Sequence, residues 1–378
     1  MTVPILEAKS LKDISLGGAS GAMQAALMRL QLWTAGQTHR YMLAAQEKAT
    51  AALLRHAKSD GSLDSPGVFL AQTKIITIYA DEFFDPWTKL MQYARRQAAM
   101  LPFGVLALQH ERIRAELGKL SESVAPPNPT NGGVFDPQLR AIIDAMNTRM
   151  DNGLNVSGRI WKLDRDARDG IQRVLLQAIT EKKSAWDTAK LLEKFLGADA
   201  DCPRWTSTRL NMSKEDIAQS KSGLISGKGC GGKGVSYNAL RLARTEIQRA
   251  HHAANDALMM QSPSVIGEKI NLSRGHVGED ECDEVVNGGE KGDGVYPVGT
   301  IVLPLHPNCL CFKTSILMPW TDFKDKLNGW MGGSQAWPAM DRYQELIGGN
   351  PTVSLLENAF AKTLAIWVFD KVSDYVAG

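Results

Sequence analysis

A proline- and glycine-rich segment, Ser121–Pro137, limits the folds open to this chain more than any other feature. Proline lacks the backbone N–H that helices and sheets use, and glycine loses much conformational entropy in either element. We therefore place a linker over residues 122–137, after an N-terminal helical region over residues 1–121. The chain has 378 residues, enough for two or three domains. We expect a larger domain over residues 138–318 and a helical C-terminal tail over residues 319–378.

Apolar side chains recur at helical spacing on both sides of the linker, so the sequence predicts a mainly α fold. Gly61 and Pro66 divide the N-terminal pattern into at least two helices. Pro86 and Pro102 set further boundaries or kinks, because a proline inside a helix removes a hydrogen bond. The dipeptide Asp85-Pro86 is typical of a helix start. The N-terminal pattern is carried by Met23, Leu27, Leu30 and Leu43.

Three further helices are predicted after the linker. The sequence Ser184-Ala185-Trp186-Asp187 has the form of a capping box and should begin the second of them. We expect the first and second helices to pack as an antiparallel hairpin. The third is predicted over residues 237–260. The three apolar stripes are Ile171, Val174, Leu175, Ala178 and Ile179; then Leu191, Leu192, Phe195 and Leu196; then Leu240, Ala243, Ile247, Ala250, Ala254 and Leu258.

The charge balance and hydropathy exclude some classes of partner. A formal net charge of +2 gives no general attraction to nucleic acid or to an anionic membrane, so DNA contact is not indicated by charge. No stretch approaches the ~18 apolar residues of a membrane-spanning helix, and we expect none. The segment Met1–Ser10 has no charged start followed by an apolar run. We therefore expect no signal peptide and synthesis in a cytoplasm.

Residues 270–314 differ in chemistry from the helices around them. Glycine, aspartate and proline are frequent there, and short strands are predicted at Val295-Tyr296 and at residues 301–303. The larger helical domain should therefore carry a small, irregular α+β module. The chain has five cysteines, an odd number. Cys202 and Cys230 lie apart in the sequence, whereas the other three gather in this module with His306.

This Cys/His grouping favours a metal site in a reducing compartment. Three sulfurs and one imidazole are enough for a closed tetrahedral zinc site. His276 and Asp280 are substitutes if one sulfur cannot reach the ion. Unligated buried thiols and a disulfide are the two alternatives, and the sequence leaves all three open. The candidate ligands are Cys282, His306, Cys309 and Cys311.

Two motifs in this part of the chain carry a family resemblance. The first is Leu-Ala-Arg-Thr-Glu at residues 242–246; the second runs from Ser273 through Asp280-Glu281-Cys282-Asp283 to the segment 304–311, Pro-Leu-His-Pro-Asn-Cys-Leu-Cys. This arrangement resembles the phage head-morphogenesis, or Mu-type minor head, family. The resemblance is specific over residues 234–314 and extends weakly back to Arg159-Ile160-Trp161. Many relatives have a C-x-x-C motif in the first turn. In this chain the first cysteine of that motif is Cys282, but Val285 stands in place of the second cysteine.

The resemblance implies a low-copy structural component of a tailed-bacteriophage head, located in the head or neck of the virion. Such a protein is made in the host cytoplasm and joins the particle during capsid assembly. Its partners would be the portal, the major capsid or scaffolding protein, or another copy of itself, and some relatives accompany the DNA. The family motif residues, for which the resemblance implies structural roles, are Arg244, Thr245, Glu246, His276, Asp280, Asp283 and Pro307.

The motif residues Arg244 and Glu246 could suggest catalysis, but helix geometry argues against it. Side chains at i and i+2 point apart, so these two should not form one acid–base site. We expect each to pin its helix to a neighbouring element through an ion pair or hydrogen bond. We therefore expect no enzyme. The alternative is a metal-dependent or ADP-ribosylating enzyme. The triplet Thr-Ser-Thr at residues 206–208 and the pair Glu279-x-Glu281 faintly resemble the S-T-S and E-x-E motifs of ADP-ribosyltransferases.

Overall fold

The computed structural model of the protein describes two compact units. The described residues are 16–120, 144–145, 147–149, 153–197, 235–273, 276, 279–307 and 309–348. The first unit, here the helical unit, takes its described residues from 31–95 and 147–247. The second, here the sheet unit, takes its described residues from 1–30, 96–146 and 248–378.

The described part of the chain is mainly α with a small three-stranded antiparallel sheet, as the sequence predicts. The longer helices and the π-helical segment are α1 Leu16–Arg55, α2 Ser65–Tyr79, the π segment Ala80–Phe84, α3 Asp85–Leu120, α4 Val156–Thr180, α5 Ala185–Leu196 and α6 Val235–Gln261. Then follow β1 Val265–Asn271, α7 Glu281–Val286, β2 Val295–Tyr296, β3 Phe312–Leu317, α8 Trp320–Met331 and α9 Pro338–Gly348. In the described part of the chain, no helix is both long and apolar enough to cross a membrane.

Side-chain caps fix two of the helix starts that the sequence predicts. Asp64 accepts a hydrogen bond from the N–H of Gly67 at the start of α2, which carries Pro66 in its first turn. Ser184 accepts a hydrogen bond from the N–H of Asp187 at the start of α5. The breaks predicted at Gly61 and Pro66 and the helix start predicted at Ser184 are therefore confirmed, with the Ser184 half of the capping box formed.

Pro86 lies at the predicted start of the third helix, whereas Pro102 lies inside that helix. α3 begins at Asp85 as expected, but the chain before it does not leave the helix, because the π segment joins α2 to α3 directly. The N–H of Asp85 bonds to the carbonyl of Ala80, five residues back. Such a wide turn accommodates a residue that does not fit the regular ladder, here Pro86. Pro102 lies inside α3 and does not end it.

One hydrophobic core holds the helical unit together. It contains Met42 and Leu53 from α1, side chains from α2 to α5, and Ala239 and Ala243 from α6. The linker over residues 122–137 predicts that the region before it packs apart from the Arg244 helix. For residues 42–91 this prediction is wrong, because they share this core with Ala239 and Ala243 of that helix. Each of these helices has an apolar face that must be buried, and the faces cover one another. The linker itself, residues 122–137, lies outside the described residues.

The predicted pair of helices, α4 and α5, pack against each other at a glycine. A Cβ atom built on Gly170 would lie 2.0 Å from the ring of Phe195. The absence of a side chain at this position therefore allows the aromatic ring of α5 to lie on the backbone of α4.

We expect Gly170→Ala to destabilise the protein by roughly 1–2 kcal/mol, although alanine is the better helix former, because the Phe195 ring must leave its position. Urea denaturation measures the change. The control is Gly21→Ala in α1, where a Cβ meets nothing within 4 Å and alanine should stabilise slightly. A Gly170→Ala protein more stable than the wild type would contradict the prediction.

The sheet of the sheet unit has the strand order β2-β1-β3, and both pairings are antiparallel. The strand predicted at Val295-Tyr296 is confirmed as β2, whereas β1 and β3 were not predicted. The strand predicted at residues 301–303 is wrong. Its first residue, Ile301, has its N–H bonded to the Glu268 carboxylate and its carbonyl bonded to the Lys313 ammonium. Side chains thus replace a neighbouring strand there.

The tail is helical through α9, as predicted.

Candidate metal centre

The first predicted ligand is held by the short helix α7. Asp280 is its N-cap, and the Asp280 and Asp283 side chains form a reciprocal capping box. The N–H of Cys282 donates to Asp280 Oδ1 at 2.8 Å. This fixes the backbone of Cys282, and its side chain is buried in a small core with Cys309 and Cys311.

The three cysteines lie in one small volume, as the sequence predicts. The Cys282 and Cys309 sulfurs are 3.6 Å apart, and all three thiols are free. A disulfide bond is about 2.05 Å long, so these sulfurs are not bonded. Cys311 belongs to the same cluster, because its sulfur lies within 4.8 Å of the Cys282 sulfur.

His306 presents its Nε2 atom to this cluster. Nε2 lies 3.2 Å from Cys282 Sγ and 3.1 Å from Asp280 Oδ2, while Nδ1 lies 3.0 Å from the carbonyl oxygen of Pro307. A carbonyl oxygen can only accept a hydrogen bond, so Nδ1 is the donor in its contact with Pro307. Nε2 is the ring nitrogen that faces the Cys282 sulfur and the Asp280 carboxylate, and it is therefore the atom placed to bind a metal.

His276 approaches the same cluster from another side. Its Nε2 lies 2.8 Å from Asp283 Oδ2 and 3.9 Å from Asp280 Oδ1. Two overlapping donor groups share Cys282: one has His306 and Cys309, and the other has His276 and Cys311. A third group consists of His276, Asp280 and Asp283. The structure therefore brings together every ligand that the sequence predicts, with both predicted substitutes beside them.

Hydrogen bonds between the thiols distribute their protons unequally. Hydrogen bonds from Cys282 and then Cys311 hold the pKa of Cys309 far below its ordinary value. The pKa of Cys282 is raised, first by its hydrogen bond to Cys309 and then by that to Cys311 and by burial. Hydrogen bonding within the cluster therefore favours the loss of a proton from one of the three coupled thiols. The pKa of Asp283 is lowered by the backbone N–H of Asp280 and by His276.

A buried charged network that the sequence did not reveal lies beside the cluster. The Lys313 ammonium is fully buried and lies 2.8 Å from Asp256 Oδ1 and 3.1 Å from Glu268 Oε2. His252 is also buried, and its Nε2 lies 3.1 Å from the carbonyl oxygen of Cys311. Burial, and then the neighbouring His251, hold the pKa of His252 well below its ordinary value. The ring is therefore neutral and donates its Nε2–H to that carbonyl.

The first family motif occupies the core of the helical unit. Glu246 is 1% exposed; its Oε1 lies 2.9 Å from Arg159 Nη2, and its Oε2 lies 3.9 Å from Arg95 Nε. The expected ion pair to a neighbouring element is thus confirmed for Glu246, with α3 and α4 as the neighbours. Arg244 is also buried, and burial lowers its pKa to about 9. Thr245 donates from Oγ1 to the carbonyl of Arg241, within its own helix.

The remaining motif residues lie at the surface or outside the described residues. Pro307 is exposed and supplies the carbonyl that orients His306. Glu279 and Glu281 are exposed, and residues 206–208 lie outside the described residues.

No protein-family model, curated protein or solved structure matches this chain. The roles of these residues are therefore inferred from their own contacts.

Proposed function

We propose that this protein is a structural and assembly component of a tailed-bacteriophage head, a minor capsid protein rather than an enzyme. The order and spacing of its two motifs support this family. One contact carries the proposal furthest: Arg159, from the weak upstream part of the resemblance, is the close ion-pair partner of Glu246 from the Arg-Thr-Glu motif. These residues are far apart in the sequence. Their pairing gives the motif a role in holding helices together.

The burial of Glu246 supports a structural role over a catalytic one. A general acid or base must reach the proton that it transfers, within about 3.2 Å or through one water. The Glu246 carboxylate is enclosed with two arginines in the helical unit. Its charge is therefore used to balance those arginines, and a substrate has no access to it in this arrangement.

We further propose that the Cys/His cluster is a structural zinc centre. Two sulfurs that are each about 2.3 Å from a tetrahedral ion lie roughly 3.8 Å apart, close to the 3.6 Å between Cys282 and Cys309. The hydrogen-bonded thiols, and the position of His306 Nε2 at 3.2 Å from Cys282 Sγ, suit such an ion. The ligands would be Cys282, Cys309, Cys311 and His306, and His276 is the substitute histidine. Zinc would stabilise the fold of the sheet unit.

The proposed location is the head or neck of the virion, reached from the host cytoplasm during assembly. The proposed partners are the portal, the major capsid or scaffolding protein, or a second copy. Quantitative mass spectrometry tests this on phage particles purified from a host that carries the gene in its native genomic context. We expect the protein at a fixed, low copy number per particle. Its absence from intact particles would overturn the proposal.

A further inference from the structure

Lys313 is enclosed by acceptors contributed from three parts of the sheet unit. Its ammonium contacts Asp256 of α6 and Glu268 of β1, and it donates to the carbonyl of Ile301. An ammonium group has three protons, so each has an acceptor. A charge that is buried so completely costs several kcal/mol in desolvation unless such partners compensate it.

The same network holds the loop that leads to His306. Glu268 is itself fully buried, and its two carboxylate oxygens accept hydrogen bonds from the N–H groups of Gly299 and Ile301, each at 3.0 Å. The Lys313 ammonium donates a hydrogen bond to the carbonyl oxygen of Ile301. The backbone at residues 299–301 is thus fixed by side chains a few residues before the first ligand of the His-x-x-Cys segment.

The other end of the ligand segment is held by one face of α6. His252 bonds to the carbonyl of Cys311, the last ligand, and Asp256 bonds to Lys313, two residues later. His252 and Asp256 are four residues apart and therefore lie on the same side of the helix. Both ends of the segment that carries His306, Cys309 and Cys311 are consequently anchored by buried polar groups that bind no metal themselves.

We propose that Lys313 and His252 are positioning residues of the metal centre, which hold the two ends of the ligand segment at the spacing that zinc requires. This inference rests on the zinc centre proposed above. Lys313 fixes the approach to His306 and the start of β3, and His252 fixes the backbone of Cys311. Partners that orient metal ligands typically change metal affinity by about 10- to 100-fold when they are removed.

The experiment measures zinc affinity of the full chain by competition with a chromophoric chelator, and the absorption spectrum of the cobalt-substituted protein. We expect Lys313→Met and His252→Leu to lower zinc affinity about 10- to 100-fold and to change the cobalt spectrum, which reports ligand geometry. His252→Gln should restore both, because its side-chain amide can donate from the same position. Lys291→Met is the matched control, since Lys291 is exposed in the same module.

The outcomes separate the two proposals. Wild-type affinity and spectrum in folded Lys313→Met and His252→Leu proteins would overturn the positioning role and leave the zinc centre intact. A wild-type protein that takes up neither zinc nor cobalt would overturn the zinc centre, and the positioning role with it. If Lys313→Met fails to fold, the comparison of His252→Leu with His252→Gln still tests the positioning role. Glutamine can donate a hydrogen bond to the Cys311 carbonyl, whereas leucine cannot.

Discussion

Replacing Cys309 by serine is expected to abolish zinc binding and to lower the thermal midpoint of the sheet unit on the order of 10 °C. Cys309 is one of the four proposed ligands, with its sulfur 3.6 Å from that of Cys282, and a serine hydroxyl is a poor zinc ligand. Structural zinc contributes about 10–16 kcal/mol of apparent binding free energy in small metal-dependent domains, so loss of one of four ligands has a large effect. Elemental analysis of the purified chain and differential scanning calorimetry measure the two quantities.

Cys202→Ser is the control for this substitution, because Cys202 lies far from the cluster in the sequence. A chelator should reproduce the effect of Cys309→Ser in the wild type and have little further effect on the variant. Equal midpoints in wild type, chelated wild type and variant would mean that the thiols are unligated core residues. A wild-type mass two hydrogens lower under non-reducing conditions would instead indicate a disulfide.

The second large effect is expected at Glu246. Glu246→Ala should destabilise the protein by about 3–5 kcal/mol, because the substitution leaves the buried Arg95 and the half-buried Arg159 without their carboxylate. Glu246→Gln should cost less, since the amide oxygen still accepts one hydrogen bond. Chemical denaturation measures both, and Glu47→Gln on the exposed face of α1 is the control.

A double substitution tests whether the ion pair is the cause. Glu246→Leu combined with Arg159→Met replaces this closer charge pair by apolar volume and should recover part of the lost stability, because buried ion pairs are often replaceable in this way and Arg95 keeps its hydrogen bond to Asn147. The contrary result is a fully stable Glu246→Gln protein that has lost a measurable hydrolase or transferase activity. That would favour the enzyme alternative over a structural protein.

The sequence predicted those features that depend on neighbouring residues. Ser184 and Asp187 lie three residues apart, so their capping contact follows from the chain itself. The grouping of Cys309 and Cys311 with His306 predicted the cluster in the same way. Only Cys282 needed a longer-range inference, which rested on its grouping with the two later cysteines in an otherwise cysteine-poor chain.

The features that were missed depend on contacts between distant residues. Nothing in the residue types around Lys313 indicates that it is buried, because the acceptors that neutralise it come from α6, β1 and a loop. The same holds for Glu246 and Arg159, which helix periodicity could place on a face but not against each other. The independence expected for the N-terminal region was wrong for a related reason. A proline-rich linker shows where helices stop, and it does not show which helices later share a core.

The small size of α7 has a consequence for how the protein survives in a cell. A six-residue helix does not form alone in water, because its nucleation cost exceeds what so few hydrogen bonds return. In the proposed centre, the aspartates that cap α7 also contact both histidines, so the helix and the ligand geometry would arise together. A newly made chain without zinc would then leave the backbone of this segment unfolded and open to proteases. Metal supply would thereby set which copies persist long enough to be used.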